Sequence, residues 1–126
     1  ARLPEVTLFS LQKRHGRSQL HTLPEDMQVI DLHDELDETT GPFLDTAAAM
    51  HALDLVVTSD TATLHLAGAL GVRTLAAIAH IPDWRFGLTG NHLPEYPNVR
   101  LMRQPRPGDW PAVAESMARW IDKALR

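Results

Sequence analysis

Cysteine is missing from all 126 residues. Its absence excludes a disulfide framework, a thiolate metal site and a cysteine nucleophile. An excess of basic residues is also missing: 12 Lys and Arg against 16 Asp and Glu leave a net charge of −4. A general nucleic-acid binder or a membrane-surface binder needs a basic face, so neither partner is expected. No apolar run reaches the length of a membrane span and no signal peptide is visible, so the expected compartment is the cytoplasm. Three phosphate- or acyl-handling motifs are lacking too. No Gly-x-Gly-x-x-Gly follows the first apolar strand, which disfavours a dinucleotide site. There is no Gly-x-x-x-x-Gly-Lys-Ser/Thr loop and no Gly-x-Ser-x-Gly nucleophile turn. A phosphoacceptor receiver domain would want an acidic pair after strand 1, where Ser10-Leu11-Gln12 stands. The chain opens on Ala1-Arg2-Leu3-Pro4, which fits a domain taken from a longer protein.

What is present is an ordinary globular composition, 44% hydrophobic and 22% charged, of a size to form one domain over residues 1–126. Its organising stretch is Thr58 to Gly71. The apolar run Leu53-Asp54-Leu55-Val56-Val57 before it reads as a buried strand. Ser59, Asp60 and Thr61 are residue types that cap helix N-termini. Leu64, Ala67, Gly68 and Gly71 recur at helical spacing and give one small apolar face, which lets a helix lie close on a sheet. Gly71 suits the left-handed position beyond a helix end. A strand, a hydroxyl-rich turn and a helix N-terminus present free backbone N–H groups to an anion. The alternative is an ordinary helix cap without a ligand.

Around this stretch the pattern alternates strands and helices. Strands are predicted over Glu5–Leu11, Met27–Leu32, Leu53–Val57, Arg73–Ala79 and Val99–Met102. A short helix is predicted around Ser18–His21 and a loop over His33–Pro42. An alanine-rich helix is expected over Ala47–Leu53, capped by Asp45 or Thr46, and a final helix after the cap Asp109. On that final helix Trp110, Val113, Ala114, Met117, Ile121 and Leu125 share a face. The long segment His80–Asn98 holds Trp84, Phe86 and Tyr96, which argue for order. Alternation of this kind implies an α/β fold: a three-layer, Rossmann-like, doubly wound parallel sheet of about five strands in the order 2-1-3-4-5. Ligands of such sheets bind outside the strand carboxyl ends where the order reverses. The two turns there are Ser10-Leu11-Gln12-Lys13 and Thr58-Ser59-Asp60-Thr61-Ala62-Thr63.

Those turns supply the candidate site. Lys13 offers a point charge suited to a diphosphate. Thr61 and Thr63 offer hydroxyl donors. His65 lies one turn into the helix, and helical side chains lean back toward the N-terminus. A satisfied structural histidine is the rival reading of His65. Asp60 sets a carboxylate beside the anion position and has three open roles: cap, partner of Lys13, or acceptor from a sugar hydroxyl. The seven histidines show no metal-ligand spacing. Most of Asp31, Asp34, Glu35, Asp37 and Glu38 read as a solvated charge run, with base or ribose selection as the alternative. Trp84 and Trp110 read as packing anchors, and Asp83 and Arg85 as a local pair.

The run Ser59-Asp60-Thr61-Ala62-Thr63-Leu64-His65-Leu66-Ala67-Gly68-Ala69-Leu70-Gly71 resembles a segment of bacterial glycosyltransferase-like proteins. In them this domain often follows tetratricopeptide repeats. Phe9–Lys13, Asp45–Ala48, Leu53–Val56, Pro82–Arg85 and Arg103–Trp110 resemble the same family, in order along nearly the whole chain. The wider relatives are heptosyltransferases and, more distantly, O-linked N-acetylglucosamine transferases. The resemblance implies the C-terminal, nucleotide-sugar-binding half of a two-domain GT-B fold, with an N-terminal domain that carries the acceptor site and the base. It implies that Asp60, Thr61, Ala62 and Thr63, with Ser59, hold the phosphates of a nucleoside-diphosphate sugar, and that His65 supports them. Lys13, beside Ser10 and Gln12, would neutralise the leaving diphosphate, with no metal and no further cofactor. The family segment after Pro82–Arg85 usually runs on to Trp-Tyr-Pro, whereas Phe86–Pro97 departs from that pattern. On this reading the isolated chain binds the donor but does not turn it over. The alternative is a non-catalytic scaffold or interaction module of the same fold.

Overall fold

The computed structural model describes residues 3 and 5–126. Its contacts divide the chain into two compact units, one running through Ala49 and one formed by Met50–Arg126.

In the first unit, β1 (Leu8–Ser10) and β2 (Val29–Asp31) pair in parallel, with Leu8 opposite Val29 and Ser10 opposite Asp31. A parallel pair needs a crossover, and here it contains the 3₁₀ helix Arg17–Thr22, where a short helix is expected. Pro24 follows two residues after its end. Arg17 leaves that crossover to pair with Asp31 at 2.8 Å, tying it to the end of β2.

In the acidic segment after β2, Asp34 and Glu35 are exposed, as a solvated run has them, whereas Asp37 has structural work. The helix α1 (Leu44–Ala52) starts three residues earlier than predicted, so Asp45 and Thr46 lie inside its first turn and neither caps it. The cap comes from Asp37. One of its carboxylate oxygens accepts the N–H groups of Asp45 at 2.8 Å and Thr46 at 3.2 Å, and the other accepts the Thr46 hydroxyl. Asp45 answers by accepting the Asp37 N–H at 2.8 Å and the Thr40 hydroxyl at 2.6 Å. The exchange resembles a capping box closed through a loop instead of along the helix. It holds two non-glycine residues, Asp37 (φ 55°) and Phe43 (φ 67°), in left-handed backbone conformation. Such conformations cost energy, least for Asp and more for an aromatic residue.

In the second unit, β3 (Val56–Ser59), β4 (Thr74–Ile78) and β5 (Val99–Arg103) form a parallel sheet in that order. Side chains alternate across it. Ala76, Ile78, Val99 and Leu101 point to one face and pack with Leu64 of α2 (Ala62–Ala69). Leu75, Ala77 and Met102 point to the other and pack with Val113, Met117, Trp120 and Ile121 of α3 (Trp110–Leu125). The sheet is thus covered on both faces, as a parallel sheet must be. Asp109 caps α3 as expected, accepting the Ala112 N–H at 3.3 Å. Trp120 takes a place in the core beneath α3, whereas Trp110 and Leu125 stay exposed.

The chain is therefore a mixed α/β protein with every named strand pair parallel, but its five strands form two sheets. The single five-stranded sheet in the order 2-1-3-4-5 is not formed. β1 and β2 hold three residues each, and Leu8 and Phe9 remain partly exposed. A strand at the centre of a doubly wound sheet would be buried on both faces.

The helix α2 ends as its sequence dictates. Gly71 takes φ 72°, its N–H donates to Gly68, and the Val72 N–H donates to Ala67. That is the paired bonding of a left-handed helix stop. Gly68 itself has another reason. A Cβ built on it would stand 2.5 Å from Cγ of Tyr96, so the ring lies directly on the helix backbone.

Replacing a helical glycine by alanine ordinarily stabilises by about 0.5–1 kcal/mol. Gly68→Ala should instead destabilise by about 1–3 kcal/mol, the cost of overpacking, measured as a lower urea midpoint. In a Tyr96→Ala background the same change should regain its helix benefit; additive effects would rule out the close approach.

Asp37 gives a pH dependence. Desolvation raises its carboxyl pKa, but the hydrogen bonds from Thr46, Asp45 and Phe43 outweigh that and hold it below its ordinary 3.8. A depressed folded pKa contributes stability above the unfolded value that is lost as pH falls through the folded one. Stability should therefore drop as pH falls below 3.8. Asp37→Asn, which keeps an acceptor, should flatten that drop, and Asp37→Ala should cost about 1 kcal/mol at neutral pH. Chemical unfolding at pH 7 and pH 3 reads both.

Candidate functional site

The helix α2 leaves β3 at its carboxyl end through Ser59-Asp60-Thr61. Thr61 occupies the N-cap position in extended conformation, yet its side chain accepts no helix N–H. Its hydroxyl instead lies 3.3 Å from that of Thr58. Its carbonyl accepts the Leu64 N–H at 3.0 Å. Ser59 and Asp60 do not cap the helix either, so the expectation that this trio caps α2 through side chains is corrected. The Ala62 and Thr63 N–H groups are thus not taken by a side-chain cap at this partly positive helix end. Ala62 is exposed and Thr63 half-buried in that turn.

His65, one turn on, is half-buried. Its Nδ1 lies 3.4 Å from the Tyr96 hydroxyl, and its ring meets the rings of Tyr96 and Phe86 at centroid distances of 5.8 and 6.4 Å. These contacts tie α2 to the segment after β4. That segment is ordered. Phe86 and Leu93 are buried in the same core as Leu64, and Trp84–Phe86 forms a 3₁₀ turn capped by Asp83, which accepts the Arg85 N–H. Asp83 and Arg85 do pair, at 2.8 Å. The Arg85 hydrogen bonds hold the Asp83 carboxyl below its usual range, and Asp83 raises the Arg85 guanidinium in turn.

Arg103, at the end of β5, fixes the rest of the segment. Its guanidinium donates to four backbone carbonyls, those of Phe86, Gly87, Thr89 and Gly90. A planar fork with five N–H donors can span such a set; an ammonium cannot. Gln104, the next residue, is buried and accepts the His80 N–H at 3.1 Å, joining the carboxyl ends of β4 and β5. Neither residue is distinguishable in the sequence beyond its place in Arg103–Trp110, because their partners lie 13 to 24 residues away. Trp84, read as a packing anchor, is 85% exposed, and Trp110 is exposed too. The short turn directs the Phe86 side chain inward and leaves the indole outside.

The other candidate group lies in the first unit. Ser10 Oγ accepts the Gln12 N–H at 3.3 Å, and the Gln12 carboxamide donates to the His15 carbonyl. Ser10 and Gln12 line an open hollow of about 490 Å³ with apolar walls that include Leu20, Leu23 and Val29. The Lys13 ammonium donates to the Leu36 carbonyl and to the Glu38 carboxylate. Hydrogen bonding and charge from Lys13 hold the Glu38 carboxyl below its usual range. Asp31, Asp37 and Glu38 thus each have a structural partner, which corrects the solvated-run reading for those three. Among the described residues no group of three His, Cys, Asp or Glu side chains is placed to hold a metal ion. No helix among them is long and apolar enough to cross a membrane.

The structure therefore groups Ser59, Asp60, Thr61, Ala62, Thr63 and His65 about one helix end, and Ser10, Gln12 and Lys13 about the end of β1. Comparison with protein-family models, curated proteins and solved structures gives no match.

Arg103→Lys should release the segment while leaving the sheet intact. Loss of hydrogen bonds to a charged donor weakens closure by about 1.5–3 kcal/mol, so the amides of Phe86 and Gly87 should exchange about ten- to a hundred-fold faster. Unchanged exchange there would show that the four-carbonyl clamp does not hold the segment.

Proposed function

We propose that this chain is the nucleotide-sugar-binding half of a glycosyltransferase of the GT-B type, its strands and helices forming a Rossmann-like domain. The observation that carries the reading is the helix end at Thr61. It opens from the carboxyl end of a parallel strand, its N–H groups are not taken by a side-chain cap, the Thr58 and Thr61 hydroxyls stand together there, and His65 follows one turn on. The resemblance of Ser59–Gly71 to glycosyltransferase-like proteins points the same way.

In the proposed reaction the bond between the donor's anomeric carbon and the diphosphate oxygen breaks. An acceptor hydroxyl takes the sugar, and charge builds on the departing diphosphate. The α2 N-terminus, with the Thr61 and Thr63 hydroxyls, stabilises that charge, and the family resemblance gives its neutralisation to Lys13. His65, held by Tyr96, positions the first turn. The acceptor groove and the base belong to a further domain, so this chain alone binds without turnover. Neither nucleic acid nor membrane enters the reading.

One observation favours the scaffold reading. Lys13 already serves the Leu36 carbonyl and Glu38, a structural use of the charge the reaction needs. Calorimetric titration with UDP, GDP, ADP, CMP and dTDP separates the two. Saturable binding of one diphosphate is expected, weakened about ten- to a hundred-fold by Thr61→Val or Lys13→Ala, the worth of a hydrogen bond to a charged group. If both variants bind as the parent does, the site assignment is wrong.

A further inference from the structure

The most exposed aromatic side chain in the second unit is also one of its most firmly mounted. Trp84 stands 85% exposed on a three-residue turn that is fixed at four points. Asp83 caps the turn in front, and Gly87 closes it behind by donating its N–H to the Trp84 carbonyl. Phe86 anchors it in the core, and Arg103 grips the carbonyls that follow. A large apolar ring held in water on a rigid support offers contact area to a ligand at little cost in conformational entropy.

Where it stands narrows the kind of ligand. The turn follows β4, and α2 follows the neighbouring parallel strand β3, so both leave the sheet at one edge. The Phe86 ring touches His65 of α2, two residues from the indole in sequence. Flanking Trp84 in the chain is a polar pair with capacity to spare. Asp83 uses only one carboxylate oxygen, for the Arg85 N–H and Nε, and the terminal guanidinium nitrogens of Arg85 make no hydrogen bond to a described residue. A flat apolar face flanked by an open carboxylate oxygen and open N–H donors suits a pyranose ring. Its axial C–H groups pack on the indole, and its hydroxyls both donate and accept. A protein partner would also draw on Ile81 and Leu88, exposed on the same segment.

We propose that Trp84, with Asp83 and Arg85, forms the sugar subsite of this domain. The indole stacks against the hexose ring of a nucleotide sugar whose diphosphate sits at the α2 N-terminus. The assignment rests on the donor-binding reading above and extends it from the diphosphate to the sugar.

The test compares each nucleoside diphosphate with its sugar conjugate: UDP with UDP-N-acetylglucosamine, GDP with GDP-mannose, ADP with ADP-glucose. Titrations are run on the parent chain, Trp84→Ala, Trp84→Phe and the double variant Ile81→Ser/Leu88→Ser. One conjugate should bind about tenfold tighter than its diphosphate, the scale of one well-stacked aromatic contact. Trp84→Ala should abolish that increment and leave the diphosphate affinity unchanged. Trp84→Phe should keep most of it, and the double variant should keep all of it. Conjugate binding should also quench the Trp84 share of the fluorescence from the three tryptophans. If a diphosphate binds but Trp84→Ala leaves the increment intact, or no increment exists, the sugar subsite is overturned while the donor reading stands. Self-association that the double variant abolishes, without any sugar increment, overturns it in favour of a protein-docking segment. If no diphosphate binds, both readings fall together.

Discussion

The Tyr96 ring resting on the backbone of Gly68 is the contact on which the second unit's outer surface depends. Nothing larger than a hydrogen at residue 68 leaves room for it. Through that contact a 19-residue segment with little regular structure, His80–Asn98, becomes part of the core and not a tether between β4 and β5. Tyr96 reaches His65 with its hydroxyl, Phe86 reaches His65 with its ring, and both share a core with Leu64. The helix that carries the candidate anion site and the turn that carries Trp84 are therefore positioned by the same few side chains. Precision at such a site comes from packing of its supports more than from the residues that touch a ligand.

Backbone hydrogen bonding supplies the second half of that support. A long segment near a core carries many carbonyls that need donors. Arg103 meets four of them with one side chain, and Gln104 meets the His80 amide. Both sit at the carboxyl end of β5, so the sheet edge organises the segment beside it. In the first unit the same role falls to Asp37, whose carboxylate closes the acidic loop onto α1. In each unit a single charged side chain replaces several turns of regular structure, and each replaces it with bonds to the main chain.

Much of the fold was legible in the residues themselves. Apolar β-branched runs place β3, β4 and β5, because a strand buried on both faces needs such a run. Asp109 and Gly71 mark helix ends, because an N-terminal carboxylate and a left-handed glycine satisfy local backbone groups. The pairing of Asp83 with Arg85 is equally local. The candidate residues Ser59 to His65 were readable for the same reason: strand, turn and helix follow one another directly in sequence.

What the tertiary structure decided lies wherever the partner is far along the chain. The cap of α1 comes from Asp37, eight residues before Asp45, and displaces the local candidates Asp45 and Thr46. Thr61 has the residue type of a cap but turns toward Thr58, which leaves the helix end open. Lys13 finds Glu38 across 25 residues. Trp84 and Phe86 are two aromatics in one turn, and only packing against α2 determines which is buried. The division of five strands between two sheets belongs here as well, since strand pairing is a contact between segments. Local backbone chemistry is written in adjacent residues and can be read from them. Which of two equivalent side chains meets the core, and which carboxylate reaches which amide, depends on distances that only the folded chain sets.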